Sequence, residues 1–558
     1  SPNAPPGYTR GMQDPKHRGH MLRSPMKDAW IAAEKLEMEG LSRRKCWVRV
    51  LKSTLTAQDK VFSTRFHYKI KRKQGQFEKC KVRLVVQGQH MHRKDDQGRG
   101  DFEDAFSPVP HASGFRTILA LATQNNMHCD HVDISQAFVQ GDLLPGDGYN
   151  GKVYISAPPG YNEDPNYVYQ LRRPLYGMPS AARAWHHTMS AYLKSQGCTL
   201  VGFERSMWTV VKQGHVILIT AHIDDFIIAC ADRQVLDAFR TALLQRFEGT
   251  YEGEVHTYLG CEILRELDKG KTLLSQKHYA EDVLRTYDYW DCIPALTPMV
   301  PGARLTKEQC DPHPEPAFHR RYRGIVGSLG YLVNMTRPDL AWSYSELSKY
   351  VQNPGKAHMD AAHHVLRYLR ATYDQAIVYE RTTEKANTIW GWVDSDWAAD
   401  LDSRRSHTGY VIMLTGGAVS WKSRRQDCVS LSTSEAEYVA ASQCGQEVVY
   451  LREILRDFGF PPTGPTLVYE DNLACVAMSE NPVRRKYSRH IDIRRYFVRD
   501  LVSQQILKLV PLRTHLMVAD ALTKSLPAPA HAKHRDVMIG RVPFCVRSLR
   551  SSYCVSGG

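Results

Sequence analysis

Thirteen cysteines are scattered from Cys46 to Cys554, yet none belongs to a CxxC pair and no His/Cys group shows zinc spacing. That scatter argues against a disulfide framework and against a zinc module, and it fits a reducing compartment. Long apolar runs are missing too. The most apolar stretch, Val216 to Ala231, is broken by His222, Asp224 and Asp225, so nothing here spans a membrane. The opening SPNAPPGYTRGMQDPKHRGH has no apolar core and cannot be a secretory signal. A start at Ser-Pro instead of Met reads as a processed or trimmed fragment. No internal repeat is evident. Acidic residues are in deficit: 73 Lys and Arg face 59 Asp and Glu, a net charge of +14. Such an excess implies either a polyanionic partner or a solubility surface.

What is present is ordinary globular material, 42% hydrophobic and 24% charged. At 558 residues the chain is too long for one core, and two to four domains are expected. Residues 1–25, rich in Pro, Gly, Arg and His, read as a flexible leader. Two β-prone runs follow, interrupted by Lys69 to Lys73, with a turn offered at Gln74-Gly75. A helical stretch, GFRTILALATQNN, leads into the strand CDHVDI. After it come a Pro/Gly-rich connection, a helix around AARAWHHTMSAYLKSQG, and the apolar hairpin VILITAHIDDFIIACA. Val235, Leu236, Phe239, Leu243, Leu244 and Phe247 then form the stripe of an amphipathic helix. Strands alternating with helices indicate sheet-based α/β units. A second Pro-rich patch near residue 300 precedes a helical segment from about His319 to Thr372. Beyond it a fresh α/β pattern begins: a strand to Val393, a hairpin through Tyr410 to Lys422, a long helix from Ser432, a strand at TLVYED, a helix, a strand at ILKLVPL and a final short helix.

Two carboxylate constellations carry the chemistry. Asp133 ends one apolar strand, and Asp224-Asp225 lie in the turn of an apolar hairpin. Unpaired carboxylates buried there would be costly, so these acids need a cation. Carboxylates converging on adjacent strands suit hard, oxygen-ligated magnesium, and nucleotidyl transfer uses such a pair of ions. A lone Asp-Asp can also be plain turn chemistry. The second constellation is Asp394, Glu437, Asp471 and Asp520, in the order strand, helix, strand, helix. Ser432 to Glu435 reads as a capping box, which occupies Glu435 and leaves Glu437 as the ligand. Taken singly, each of these acids could be a cap or a surface residue. Asp396 and Asp400 read as outer or solvated acids. Basic runs at Arg43-Arg44-Lys45, Lys69 to Lys73, Arg484 to Lys486, and Arg489 with Arg494-Arg495 could contact a nucleic-acid backbone or form solvated faces.

VDISQAF followed by HIDD resembles the two palm motifs of reverse transcriptases. KCKVRLVVQGQ, DFEDAFSPV, LRRPLYGMPSAARAW, YLGCEI, LLSQKHY, GSLGYLVNMTRPDLA and LRYLRATYD are similar, in that order, to the copia-type LTR retrotransposon Pol polyprotein, over about residues 70 to 525. His222 departs from the family's Tyr, and MPSAARAW departs from its Lys-Gln-Ala-Pro-Arg-Trp run. The resemblance implies a right-hand polymerase of fingers, palm, thumb and connection, followed by a ribonuclease H-like α/β domain, an α/β and α+β multidomain chain. Fingers and palm would cover 26–250, thumb and connection 251–385, ribonuclease H 386–527, and a C-terminal tail 528–558.

The resemblance also implies residue roles. Phe138 matches the steric-gate aromatic beneath the incoming sugar, though an aromatic there could equally be palm core. Lys81 and Arg83 match cations that pair with triphosphate oxygens, against the alternative of a solvated strand face. Tyr176 and Gly177 match a loop near the nascent base pair, and Leu259-Gly260 the hairpin that positions the primer end. Asp133, Asp224 and Asp225, and then Asp394, Glu437, Asp471 and Asp520, are implied to be catalytic ligands of two Mg²⁺ each, with Mn²⁺ as a substitute. The implied partners are RNA template, DNA primer and product, RNA/DNA hybrid and dNTP, with a tRNA primer and with integrase and capsid of a virus-like particle, and no membrane. The implied location is cytoplasmic within such particles, or nuclear. The alternative is a catalytically silent nucleic-acid-binding or structural subunit derived from such an enzyme.

Overall fold

Strand-prone runs and helical stripes alternate along the chain, and they fold into several mixed helix-and-sheet units. The computed structural model describes residues 4–9, 11–73, 76–161, 164–383, 386–480 and 489–543. Helix α1 (Lys27–Arg43) buries Trp30, Glu34, Glu37 and Leu41, spaced to lie on one face. That face covers the antiparallel pair β1 (Thr64–Lys73) and β2 (Gln76–Val86). Alternation along the pair sorts its side chains. Phe66, Tyr68, Ile70, Val82, Leu84 and Val86 are buried on one side. Lys69 lies opposite Lys81, and His67 opposite Arg83, on the other. The turn expected at Gln74-Gly75 lies outside the described residues.

The segment expected as a flexible leader is packed on this pair over its described residues. Ile70 N donates to Asp14 Oδ1 at 2.7 Å, Arg72 Nη2 donates to Met12 O at 2.8 Å, and the Tyr8 ring lies 5.0 Å from that of Phe77. Met21 is fully buried.

The unit expected as the palm contains α2 (Ala112–Gln124), β3 (His128–Ile134), α3 (Ala137–Gln140), α4 (Ala181–Ser195), β4 (Thr199–Val201), β5 (Glu204–Lys212), β6 (His215–His222), β7 (Asp225–Cys230), α5 (Arg233–Arg246) and β8 (Gly249–Glu254). Its sheet runs β8-β3-β7-β6-β5-β4. Every residue of α2 is buried, the mark of a helix enclosed on all sides. It is enclosed because one continuous core joins it to the palm sheet, the following sheet and the C-terminal unit. Arg116 on α2 pins that junction. Its guanidinium donates to Val419 O at 2.8 Å, Asn334 O at 2.7 Å and Met335 O at 3.0 Å, and stacks 3.9 Å over Trp421.

Next comes a sheet β9-β10-β11-β12 (Thr257–Tyr258, Cys261–Glu266, Lys271–Ser275, Ala376–Glu380), and between its last two strands the chain forms α6 (Lys277–Thr286), α7 (Pro316–Met335), α8 (Ala341–Ser348) and α9 (Lys356–Ala371), which share an apolar core with the C-terminal unit. The C-terminal unit has β13 (Trp390–Asp396), β14 (His407–Leu414), β15 (Gly417–Arg425), α10 (Thr433–Asp457), β16 (Thr466–Glu470), α11 (Leu473–Glu480), α12 (Arg489–Ser503) and β17 (Leu507–Pro511). Its sheet order is β15-β14-β13-β16-β17, antiparallel through the first three strands and parallel across the last two pairings. The described part of the tail, 528–543, begins with α13 (Ala528–Met538), which buries His531, His534, Val537 and Met538. Just beyond it, Ile539 O accepts from Val378 N on β12 at 2.8 Å. Among the described residues, no helix is long and apolar enough to cross a membrane.

Candidate active sites

Backbone register assembles the palm acids. Asp225, the first residue of β7, lies directly opposite Asp133 on β3. Ile223-Asp224 is the two-residue turn between β6 and β7, with Ile223 at φ 60°. Positive φ at the first turn residue is what tight hairpins require, and it is costly for a β-branched side chain. Ile134 N donates to Asp224 O at 2.8 Å, which ties the turn to the strand carrying Asp133. Burial, then Asp224 and Asp225, push the Asp133 carboxyl upward. Asp224 is pushed up by burial and by Asp225, against the pull of Arg83 and Lys81. The sequence reading missed His131, whose Nε2 lies 3.4 Å from Asp225 Oδ1.

Lys81, Arg83 and Tyr176, three of the implied substrate residues, lie near this turn. Lys81 and Arg83 share the cationic face of β2 and act on Asp224. Burial and Arg83 lower the Lys81 ammonium, while Asp133 draws it back up. Arg83 lies 4.4 Å over the Tyr176 ring, and the Phe138 ring is 5.2 Å from Tyr176 on another side. Phe138, on the short helix α3, is half-buried between two apolar clusters. Gly177 has φ 88°, and a Cβ there would stand 2.1 Å from Val86 O, so it is contact with β2 that demands glycine. Leu259 and Gly260, both at positive φ, form the turn between β9 and β10. Leu259 O accepts from the Tyr331 hydroxyl at 2.5 Å, a partner on α7 that the local motif could not reveal.

A polar tie behind Phe138 also escaped the sequence reading. Gln136, at φ 50°, donates to Glu37 Oε2 at 2.6 Å and accepts from Arg44. Glu37 Oε1 accepts from Leu84 N at 3.1 Å, and Arg44 pairs with Glu248 Oε2 at 2.6 Å. Helix α1, strand β2 and the start of α3 are thus tied through Gln136 and Glu37. Arg43 and Arg44, read as candidate nucleic-acid contacts, are paired with Glu248. Of the other basic runs, Arg484 to Lys486 lie outside the described residues.

The C-terminal acids are packed more tightly. Ligand oxygens of Asp394 on β13, Glu437 on α10 and Asp471 just past β16 lie within 4.8 Å of one another. Among the described residues this is the one acid or His/Cys group so compact, and the palm acids are looser. Asp520 stands beside the trio in the 3-10 turn Val518–Leu522. Burial, then Asp394, pushes its carboxyl to about 7. Burial, then Glu470 and Asp394, pushes Glu437 well up. Glu437 Oε2 is buried and has no hydrogen-bond partner. Ser432 Oγ accepts from Glu435 N at 3.2 Å, but Glu435 reaches back to Leu431 N at 2.9 Å, one residue before the expected box. Asp400 is not a solvated acid. It is buried and pairs with Lys349 at 2.8 Å. Three neighbours went unforeseen: Glu470, fully buried, Thr523, which donates to Asp394 Oδ2, and Lys524, 2.8 Å from Asp520 Oδ1. Glu470 adjoins Asp471 in sequence, a signal that could have been used.

Residues 48–301 match a protein-family model described as reverse transcriptase (RNA-dependent DNA polymerase). The chain is 31% identical over 529 residues to the retrovirus-related Pol polyprotein from transposon TNT 1-94 of Nicotiana tabacum, covering 92% of this chain and 38% of that one. It is 33% identical over 475 residues to the Pol polyprotein from transposon RE2 of Arabidopsis thaliana, covering 84% and 31%. The chain thus spans about a third of the length of these curated relatives. A solved foamy viral protease-reverse transcriptase in complex with dsDNA superimposes at a TM-score of 0.46 with 10% identity, over 87% of this chain and 83% of that one.

Proposed function

Because this chain belongs to the copia-type retrotransposon Pol polyproteins and carries their reverse transcriptase domain, we propose that it copies retrotransposon RNA into double-stranded DNA and degrades the RNA of the hybrid with its C-terminal ribonuclease H unit. The observation that carries the second half is the compact trio Asp394, Glu437 and Asp471, set on β13, α10 and the end of β16. The sheet order β15-β14-β13-β16-β17, with a helix across it, supports a ribonuclease H-like layout.

Asp133, Asp224 and Asp225 would hold Mg²⁺ at the first site, and Asp394, Glu437, Asp471 and Asp520 at the second, with Mn²⁺ as a substitute. The donors are all carboxylate oxygens, which suits these ions, and the unpartnered Glu437 Oε2 is a buried atom that wants a cation. Such ions supply activation of an attacking oxygen and stabilisation of the leaving one. The chain's own residues position the reactants. Lys81 and Arg83 offer donors to triphosphate oxygens. Phe138, braced by Tyr176, crowds the 2′ position of the incoming sugar. Leu259 and Gly260 hold the primer end. RNA template, DNA primer, hybrid and dNTP are the substrates, and the net charge of +14 favours them. A tRNA primer, association with integrase and capsid, and a cytoplasmic site within virus-like particles belong to the same reading. Mg²⁺-dependent extension of oligo(dT) on poly(rA), together with cleavage of labelled RNA in a hybrid, tests it. Loss of both in a folded protein would leave the silent subunit as the function.

A further inference from the structure

Six carboxyl groups crowd the C-terminal site: Asp394, Asp396, Glu437, Glu470, Asp471 and Asp520. Without metal, their mutual repulsion is relieved either by protonation or by a cation held beside them. A cation is already built in. Lys524 lies four residues after Asp520, just past the 3-10 turn, and its Nζ is 2.8 Å from Asp520 Oδ1. Local backbone fixes that placement, since Thr523 N and Lys524 N both donate to Asp520 O, at 3.2 and 3.1 Å. Thr523 itself holds Asp394. Lys524 lines one cavity together with Asp396 and with Thr523, the residue that holds Asp394, so it stands on the Asp394–Asp520 side of the cluster. It is not locked in. The Lys524 side chain keeps 38% of its surface, against 10% for Asp520. It borders a polar cavity of about 260 Å³ that Asp396, Arg304 and Trp342 also line. A compact charge on a flexible stem can move into that space, which a forked guanidinium could not do as easily.

We propose that Lys524 is a resident counter-ion of the acid cluster, holding the Asp394–Asp520 side together without metal and yielding its place when an ion binds there. The proposal rests on the ribonuclease H reading for the identity of the metal site. The test uses the full chain with Asp224→Asn and Asp225→Asn, so that the palm acids contribute little metal binding. Melting curves without metal and Mg²⁺ titration calorimetry are then compared for Lys524, Lys524→Met, Lys524→Gln and Lys524→Arg. Both neutral variants should melt several degrees lower without metal and bind the weaker Mg²⁺ about tenfold tighter, since a competing charge is gone. Lys524→Arg should melt like the parent. If the neutral variants do not fold without metal, recovery of a native transition on adding Mg²⁺ supports the proposal, and no recovery overturns it. Unchanged melting, or Mg²⁺ binding that is equal or weaker, also overturns it. Hybrid cleavage by the unsubstituted chain is scored separately. Its absence sinks the ribonuclease H reading and leaves the counter-ion result standing.

Discussion

Asp225 keeps 34% of its side-chain surface open, while Asp394, Glu437 and Asp520 are each buried. The palm acids draw their compensating cations, Lys81 and Arg83, from a strand pair that lies far upstream in the chain. The C-terminal acids have Lys524 within their own last motif. The palm acids are loosely spaced, whereas three of the C-terminal acids converge within 4.8 Å. On the reading proposed above, the first cluster would leave room for substrate phosphate oxygens to complete the shell of a bound Mg²⁺. In the C-terminal cluster the fold already brings three carboxylate oxygens within 4.8 Å of one another.

The largest effect should come from separating the two clusters. Asp224→Asn should abolish dNTP incorporation and leave hybrid cleavage within a few-fold, and Asp471→Asn should do the reverse. Either variant losing both activities while still folded would break the comparison.

Phe138→Val should next raise the rNTP/dNTP efficiency ratio by orders of magnitude, on the order of 3 to 4 kcal/mol at about 1.4 kcal/mol per factor of ten. If Phe138 serves only as core, the variant should lose roughly 3 kcal/mol of stability and depress both nucleotides equally. The efficiency ratio and a melting curve, measured together, decide between these outcomes.

The docking of the C-terminal unit should be sensitive to acid. His407 is held down to about 3, by burial first and then by Lys349, with Arg425 adding to the effect and Asp400 opposing it. From its ordinary 6.5 to 3, the unfolded chain therefore binds the extra proton. This stability is present above pH 6.5 and is lost as pH falls toward 3. Against the upward push of burial, Lys349 and Ser403 hold Asp400 below the usual carboxylate range, which acts in the same direction. Glu346, pushed up by burial, opposes. The melting temperature should drop by several degrees between pH 7 and 4, and His407→Gln should flatten that slope. A flat profile in the parent would show that these groups do not govern docking.

The smallest effect is expected at the fingers–palm tie. Arg44→Met removes contacts to Gln136 and Glu248 and should raise KM for dNTP a few-fold, leaving hybrid cleavage untouched. An equal loss in both assays would mean that Arg44 acts on global stability.

Much of this was legible because the relevant signals are local. Asp133, the HIDD turn and the strand–helix–strand order around Asp394, Glu437 and Asp471 sit at the ends of short periodic runs, and the periodicity places them. Partners that are distant in sequence were not legible. Glu248, which pairs with Arg44, is 204 residues away, and Ile70 and Phe77, which touch the first residues, belong to a different segment.

The sequence by itself determined the families of strand and helix, the two sets of acids and the basic balance, since alternation, capping and charge are written within a few residues of one another. Only the tertiary structure decided that α2 would be buried on every side, that Gly177 answers to Val86, and that Lys524 stands among the acids. Each of these depends on which surfaces meet in the packed core, and neighbours brought together by burial leave no periodic trace along the chain.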